Sequence, residues 1–154
     1  MKPEAVPESI EAIASSKGWP IIGPRRGVIL DEVVESHRPS SILEMGTSIG
    51  YSAIRMARHP NVGQRLTRVE ISGDMARTAR TNFEKAGLSE LIEVIVGDAR
   101  SILPTLTAGF DMVFLGTVKD DYLEYLRSVE TLLHAGSVVA AGNEVPLLCG
   151  QNLS

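Results

Sequence analysis

In the segment ILEMGTSIGYS an apolar run ends at Glu44, Gly46 and Gly50 bracket a turn, and a helix opens near Tyr51. Glycine at such a turn lets backbone N–H groups approach a ligand, and a helix N-terminus adds favourable polarity. The spacing is not G-x-G-x-x-G, because Ser48 stands where a dinucleotide site wants a glycine. An acid inside the turn repels a pyrophosphate and suits a cationic ligand; an ordinary strand-to-helix turn is the plain alternative. The next apolar run, RLTRVE, closes on Glu70, 24 residues beyond Gly46. A carboxylate at that strand tip is placed to take both hydroxyls of a ribose, and a solvent-facing glutamate is the competing reading. A third run ends in VGDAR, where Gly97 and Asp98 can close over an adenine, or Asp98 simply caps the following helix. Three successive tips of this kind point to one nucleoside pocket.

The elements that must position these residues alternate. An N-terminal helix near Glu8–Ser16 precedes a Gly/Pro-punctuated loop, GWPIIGPRRG. A helix is expected from about Arg26 to His37, with Ile29, Leu30, Val33 and Val34 on one stripe and Pro39 ending it. SILEMG is then followed by the helix YSAIRMARH, and RLTRVE by SGDMARTARTNFEKAG, with Ser72 as N-cap and Gly87 as C-cap. LIEVIVG leads into ARSILPTL, and FDMVFLG into DDYLEYLRSVETLLHAG, whose stripe is Tyr122, Leu126, Val129 and Leu133. SVVAAGN is a fifth strand. Apolar strands alternating with helices over short connections predict an α/β, doubly wound sheet of about five parallel strands. About ten residues follow the fifth strand, so an exposed sheet edge is expected there, or one covered by another subunit.

Composition narrows the setting. The 154 residues match one domain, and no segment is long and apolar enough to cross a bilayer. A net charge of −4 argues against nucleic-acid and membrane-surface partners, and the arginines between Arg55 and Arg80 read as a solvated helix face. The N-terminus lacks the pattern of a signal peptide, and a single cysteine, Cys149, fits a cytoplasmic setting. His37, His59 and His134 are expected at helix ends in capping or dipole roles.

The segments ILEMGTSIGYSAIRMAR, VEI, VIVGDARSILPTL, FDMVFLGTVKDDYL and AGNEV resemble, in order and spacing, the class I S-adenosylmethionine-dependent O-methyltransferases. The catechol and caffeoyl-CoA branch is the most similar, over about residues 20 to 145. The resemblance implies a Rossmann-like methyltransferase sheet and one cofactor-binding domain spanning residues 1–154. It implies that Glu44, Gly46 and Gly50 form the loop on the methionine side of S-adenosylmethionine (SAM), with Ser52 close to the methionine carboxylate or amine. Glu70 would hold the ribose, Ile71 and Ala99 would flank the adenine, and Lys119 matches the catalytic lysine. The implied reaction is in-line attack of a substrate oxygen, from a small hydroxylated aromatic, on the methyl of the sulfonium. A phenol is mostly protonated at neutral pH. The family meets this with Mg²⁺ on both catechol oxygens and with a lysine base.

Two positions depart from that pattern. The family's metal site takes an aspartate at the fourth strand tip and an Asp-Asn pair at the fifth, where this chain has Gly116 and Gly142-Asn143. One amide carbonyl, from Asn143, is too little for a hard ion that relies on carboxylates. Asp120 and Asp121 stand at a helix start, where capping is the commoner use, and Glu144 should point away from Asn143. The family also continues with two further strands that line the acceptor pocket; their absence leaves an apolar edge, VPLLCG, as a homodimer surface. The expectation is therefore an O-methyltransferase with an impaired metal site and Lys119 as base. The alternative is a non-catalytic SAM-binding, truncated or engineered scaffold. A nicotinamide oxidoreductase is argued against by the missing middle glycine.

Overall fold

A computed structural model describes residues 5–18, 21–46, 49–59, 65–107, 109–116 and 122–142. In chain order the elements are α1 (Val6–Lys17), α2 (Gly23–His37), β1 (Ser41–Met45), α3 (Tyr51–Ala57), β2 (Arg65–Glu70) and α4 (Gly73–Lys85). They continue with β3 (Ile92–Val96), α5 (Ala99–Ile102, prolonged by a 3₁₀ turn at Leu103–Thr105), β4 (Phe110–Leu115), α6 (Tyr122–Val129) and β5 (Leu133–Ala141). The five strands form one sheet in the order β3-β2-β1-β4-β5, every pair parallel. The order reverses next to β1, which places the crevice between the tips of β1 and β4 at a topological switch point.

The strands read as near-continuous apolar runs because both faces are covered. Ile42, Leu66, Met112, Phe114, Val138 and Ala140 pack against α1 to α4. The alternate residues Leu43, Met45, Val69, Val113, Leu115 and Val139 pack against α5, its 3₁₀ turn and α6. Helices on both faces follow from parallel strands joined by right-handed crossovers. Ser72 caps α4 as expected, its Oγ accepting from Met75 N at 3.2 Å. The helix closes on Ala86, and Gly87 follows it.

Several expectations are corrected. Helix α2 starts at Gly23, three residues before Arg26, because Pro24 lies in the first turn, where a missing N–H costs nothing. Its buried stripe is Gly27, Leu30, Val33 and Val34, and Ile29 is exposed. ARSILPTL is helical as expected over residues 99–105, but only as one α turn followed by a 3₁₀ turn. Helix α6 ends at Val129, so Leu133 begins β5 instead of extending a helical stripe. The segment expected as that helix's end is an irregularity within β5, where the register to β4 shifts between Phe110 and Met112. Gly136 adopts φ +95° there, and Ser137 Oγ stitches the excursion by donating to Phe110 O at 2.8 Å and accepting from His134 N at 2.9 Å.

The arginine-rich stretch is not simply a solvated face. Arg77 and Arg80 are exposed, but Arg55 and Arg68 are buried. Arg55 Nη2 lies 2.6 Å from Asp31 Oδ2, and its Nη1 donates to Tyr51 Oη at 2.8 Å. Arg58 and His59 also reach Asp31, both at 3.2 Å, so His59 ties α3 to α2 rather than capping a helix. Burial pushes Asp31 up, but Arg55, His59 and Arg58 outweigh it and hold the carboxyl below its ordinary value. Burial drives the Tyr51 hydroxyl to about 12, so it is a neutral link between Arg55 and Glu11. His37 keeps its expected terminal role, its Nδ1 3.0 Å from Val33 O. His134 sits in β5, 2.7 Å from Asp111 Oδ1. β5 has one sheet neighbour among the described residues. The segment VPLLCG, with Cys149, lies outside them.

Candidate functional site

One row of hydrogen bonds levels the carboxyl edge of the sheet. The residue after each of four strands is a glycine that donates back to its neighbour: Gly97 N to Glu70 O, Gly46 N to Val69 O, Gly116 N to Met45 O and Gly142 N to Leu115 O, at 2.9 to 3.0 Å. The strand tips therefore end on a common line, and side chains just below it face one crevice.

Under β1 and β2 that line is charged. Glu44 and Arg68 stand directly opposite each other in the parallel register, and Glu70 lies two residues further along β2, on the same face. Glu44 is fully buried, and its Oε1 accepts from Ser52 Oγ at 2.6 Å and from Arg68 Nη1 at 3.3 Å. Burial raises the Glu44 carboxyl above its ordinary value, opposed by Arg68 and Ser52. Its other oxygen, Oε2, is buried without a hydrogen-bond partner among the described residues. Glu70 is also buried; Oε1 faces Arg68 Nη2 at 3.3 Å, and Oε2 accepts from Ser72 N at 3.1 Å. The turn above is held from outside by Asn82 Nδ2, which donates to Ile49 O at 2.9 Å. Gly50 takes φ +91°, and a Cβ there would stand 2.6 Å from the Phe83 ring. Both its dihedral and its packing require glycine.

The structure brings Glu44, Gly46, Ser52 and Glu70 together. Ser52, which the resemblance would set beside the methionine moiety, spends its proton on Glu44, leaving its oxygen as an acceptor. Asp98 is an N-cap: its Oδ1 accepts from Arg100 N at 2.9 Å, the alternative weighed for it above. Ala99 is buried in the core beneath α5, whereas Ile71 is 72% exposed at the β2 tip. Val96, in register with Glu70 and 44% exposed, is a second apolar residue there that sequence reasoning passed over. Arg68 was also missed, although a charged residue in the middle of a buried parallel strand is a signal in itself. Lys119 and Asn143 lie outside the described residues, as do Asp120, Asp121 and Glu144.

An adenosyl cofactor fits these residues. Glu70 still has acceptor positions for hydroxyls, Ile71 and Val96 offer uncovered apolar surface, and the orphaned Glu44 Oε2 suits a cationic donor. Magnesium does not fit the described residues at β4 and β5. Gly116 and Gly142 present no donor side chain, and among the described residues no three of His, Cys, Asp and Glu converge. What adjoins Gly142 is a small, mostly apolar cavity of about 20 Å³, lined by Ile22, Arg26, Leu30, Val33, Phe114 and Ala140 among others.

Comparison with known proteins bears on the family and the fold. The sequence model of the O-methyltransferase family matches residues 9–149. Catechol O-methyltransferase of Mus musculus is 36% identical over 151 residues, covering 93% of this chain and 57% of that protein. The O-methyltransferase of Bacillus cereus, solved in complex with SAH, superposes with a TM-score of 0.81 at 29% identity, covering 89% of this chain and 65% of that one. TomG of Streptomyces achromogenes, an O-methyltransferase of tomaymycin synthesis solved with SAM, gives 0.77 at 33% identity over 88% and 64% of the two chains. The chain thus spans little more than half the length of its mouse relative. With most of its residues matched, the chain belongs to the O-methyltransferase family.

Proposed function

We propose that this chain binds S-adenosylmethionine and belongs to a catechol-type O-methyltransferase, methylating a hydroxyl of a small aromatic acceptor without a carboxylate-built Mg²⁺ site. The observation that carries the reading is the pair of buried acids, Glu44 and Glu70, on adjacent strand tips below a glycine turn. When bound, SAM supplies an electrophilic methyl on a positively charged sulfur. Glu70 accepts from the ribose hydroxyls, Ile71 and Val96 cover the base, and Glu44 faces the cationic end. Lys119 is the candidate base for the acceptor proton; with glycine at 116 and 142, little or no metal help toward the phenolate is expected. A cytoplasmic, homodimeric protein completes the proposal, supported by the lone Cys149 and by β5 having one sheet neighbour among the described residues. Among the described residues no helix is long and apolar enough to cross a membrane.

A second reading, a SAM-binding chain without turnover, is favoured by those same two glycines. Titration calorimetry with SAM tests the pocket, and a catechol methylation assay with and without Mg²⁺ tests turnover. Methylation by the unaltered chain that Mg²⁺ does not change supports the first reading, and binding without methylation supports the second. Clear Mg²⁺-dependent turnover overturns the view of the β4 and β5 tips, and NADH binding in place of SAM overturns the family role.

A further inference from the structure

Arg68 places a guanidinium in the middle of a buried strand, beneath the turn that holds the candidate pocket. Its Nη1 reaches Glu44 Oε1 and its Nη2 reaches Glu70 Oε1, each at 3.3 Å. Gly46 crosses so close above it that a Cβ would lie 2.6 Å from Arg68 Cζ, so the guanidinium forms the floor of the turn. One cation therefore spans the acid assigned to the methionine side and the acid assigned to the ribose side.

Among the described residues, Glu44 from β1 and Glu70 from β2 are charged groups that face Arg68. Helix α3 contributes the Ser52 hydroxyl, through Glu44, and the start of α4 contributes the Ser72 N–H, through Glu70. Two buried carboxylates sharing one site cannot both stay ionised without compensation. Burial is the main force pushing Glu44 toward its protonated form; Arg68 and Ser52 resist that, and Glu70 adds to it. We propose that Arg68 is a positioning residue that bridges Glu44 and Glu70 as one unit, coupling the two halves of the cofactor site. The inference rests on the cofactor reading above. A carboxylate offers about four acceptor positions, and Arg68 with Ser72 N occupies two of those on Glu70, leaving about two for ribose hydroxyls. Arg68 thereby fixes which Glu70 acceptor positions face the ribose.

The test is titration calorimetry of the full chain with adenosine and with SAM, between about pH 6 and pH 9. Arg68→Met is expected to weaken both ligands about tenfold at neutral pH, the scale of one charge-assisted contact. It should also move upward the pH below which affinity is lost, because Glu44 loses the cation that opposes the effect of its burial. Arg68→Lys keeps the charge and is expected to stay within about threefold of wild type at pH 8. Should Arg68→Met not fold, Arg68→Met/Glu44→Gln removes the like-charge pair and is expected to bind weakly with a wild-type pH profile. Wild-type affinity in either Met-containing variant, a loss from Arg68→Met that is equal at every pH, or a Lys variant no better than Met overturns the inference. A wild-type chain that binds neither ligand overturns the cofactor reading and this inference with it.

Discussion

The two halves of the sheet end on the same line but present opposite surfaces. At the tips of β1 and β2 the chain buries two carboxylates, a guanidinium and a serine hydroxyl under a glycine turn. At the tips of β4 and β5 it presents Gly116 and Gly142 beside an apolar cavity. Burying polar groups is costly unless they are partnered, so the charged half persists because its members satisfy one another. Gly116 and Gly142 themselves bring no polar side chain to be satisfied. Backbone ladders run equally through both, which shows that the fold is indifferent to whether a strand tip carries a ligand group.

Several substitutions would break or sharpen this contrast. The largest effect is expected from Glu70→Ala. Loss of hydrogen bonds to a charged acceptor should weaken SAM binding by about 2 to 4 kcal/mol, roughly 30- to 1,000-fold, read by titration calorimetry. Unchanged affinity would remove the ribose assignment and with it the functional half of the comparison. Next, Gly50→Ala places a Cβ 2.6 Å from the Phe83 ring at φ +91°. Left-handed strain and overpacking together should cost about 3 kcal/mol, a fall of roughly 10 °C in Tm.

A smaller stability effect, with a gain of function, is expected in the other half. In Gly116→Asp/Gly142→Asp the new Cβ atoms meet Met45 O at 3.2 Å, and Ile22 and Phe114 at 3.0 Å. A loss of about 1 kcal/mol is expected from the crowding. Mg²⁺ should raise the Tm of this variant but not of wild type. Methylation appearing only in the double variant would show that the acceptor site lacked just its metal, and no response to Mg²⁺ would show that it lacks more.

The smallest effect lies at the opposite end of β4 and β5. Contact with the Ala135 carbonyl, then with Asp111, raises His134 above its ordinary 6.5. Burial raises Asp111, but His134 and the Ser40 and Ser41 N–H groups overcome it and hold the carboxyl below 3.8. The histidine contribution is complete below pH 6.5 and fades as pH rises through the elevated folded value. The aspartate contribution is complete above pH 3.8 and fades as pH falls through the depressed one. The Tm difference between wild type and His134→Ala should therefore peak near about pH 5 and shrink toward about pH 8. A constant difference across that range would mean that the contact is not ionic.

Much of the site was legible in the sequence because strand tips are marked by glycine and by acids that cannot sit unpartnered inside a strand. RLTRVE was placed residue for residue, and Ser72 was read as the cap of α4. The segment LHAG was misread as the end of a helix, since Leu133 fits a helical stripe as well as a strand, while Glu130–Leu132 before it is a 3₁₀ turn. Pairing of β5 with β4, with Ser137 closing the irregularity, decided between them. Asp98 was open between cap and pocket until the Arg100 N–H took its side chain.

By itself, the sequence determined the alternation of strands and helices, the glycine turns, the acids at two tips and the absence of acids at two others. These are local matters: periodicity, side-chain-free backbone and residue type at a turn. Only the tertiary structure decided that Arg68 opposes Glu44 and reaches Glu70, and that Arg55 is buried against Asp31. Strand register and helix packing set the Arg68–Glu44 and Arg55–Asp31 pairings, each over a separation of 24 residues, where no short-range pattern carries the information.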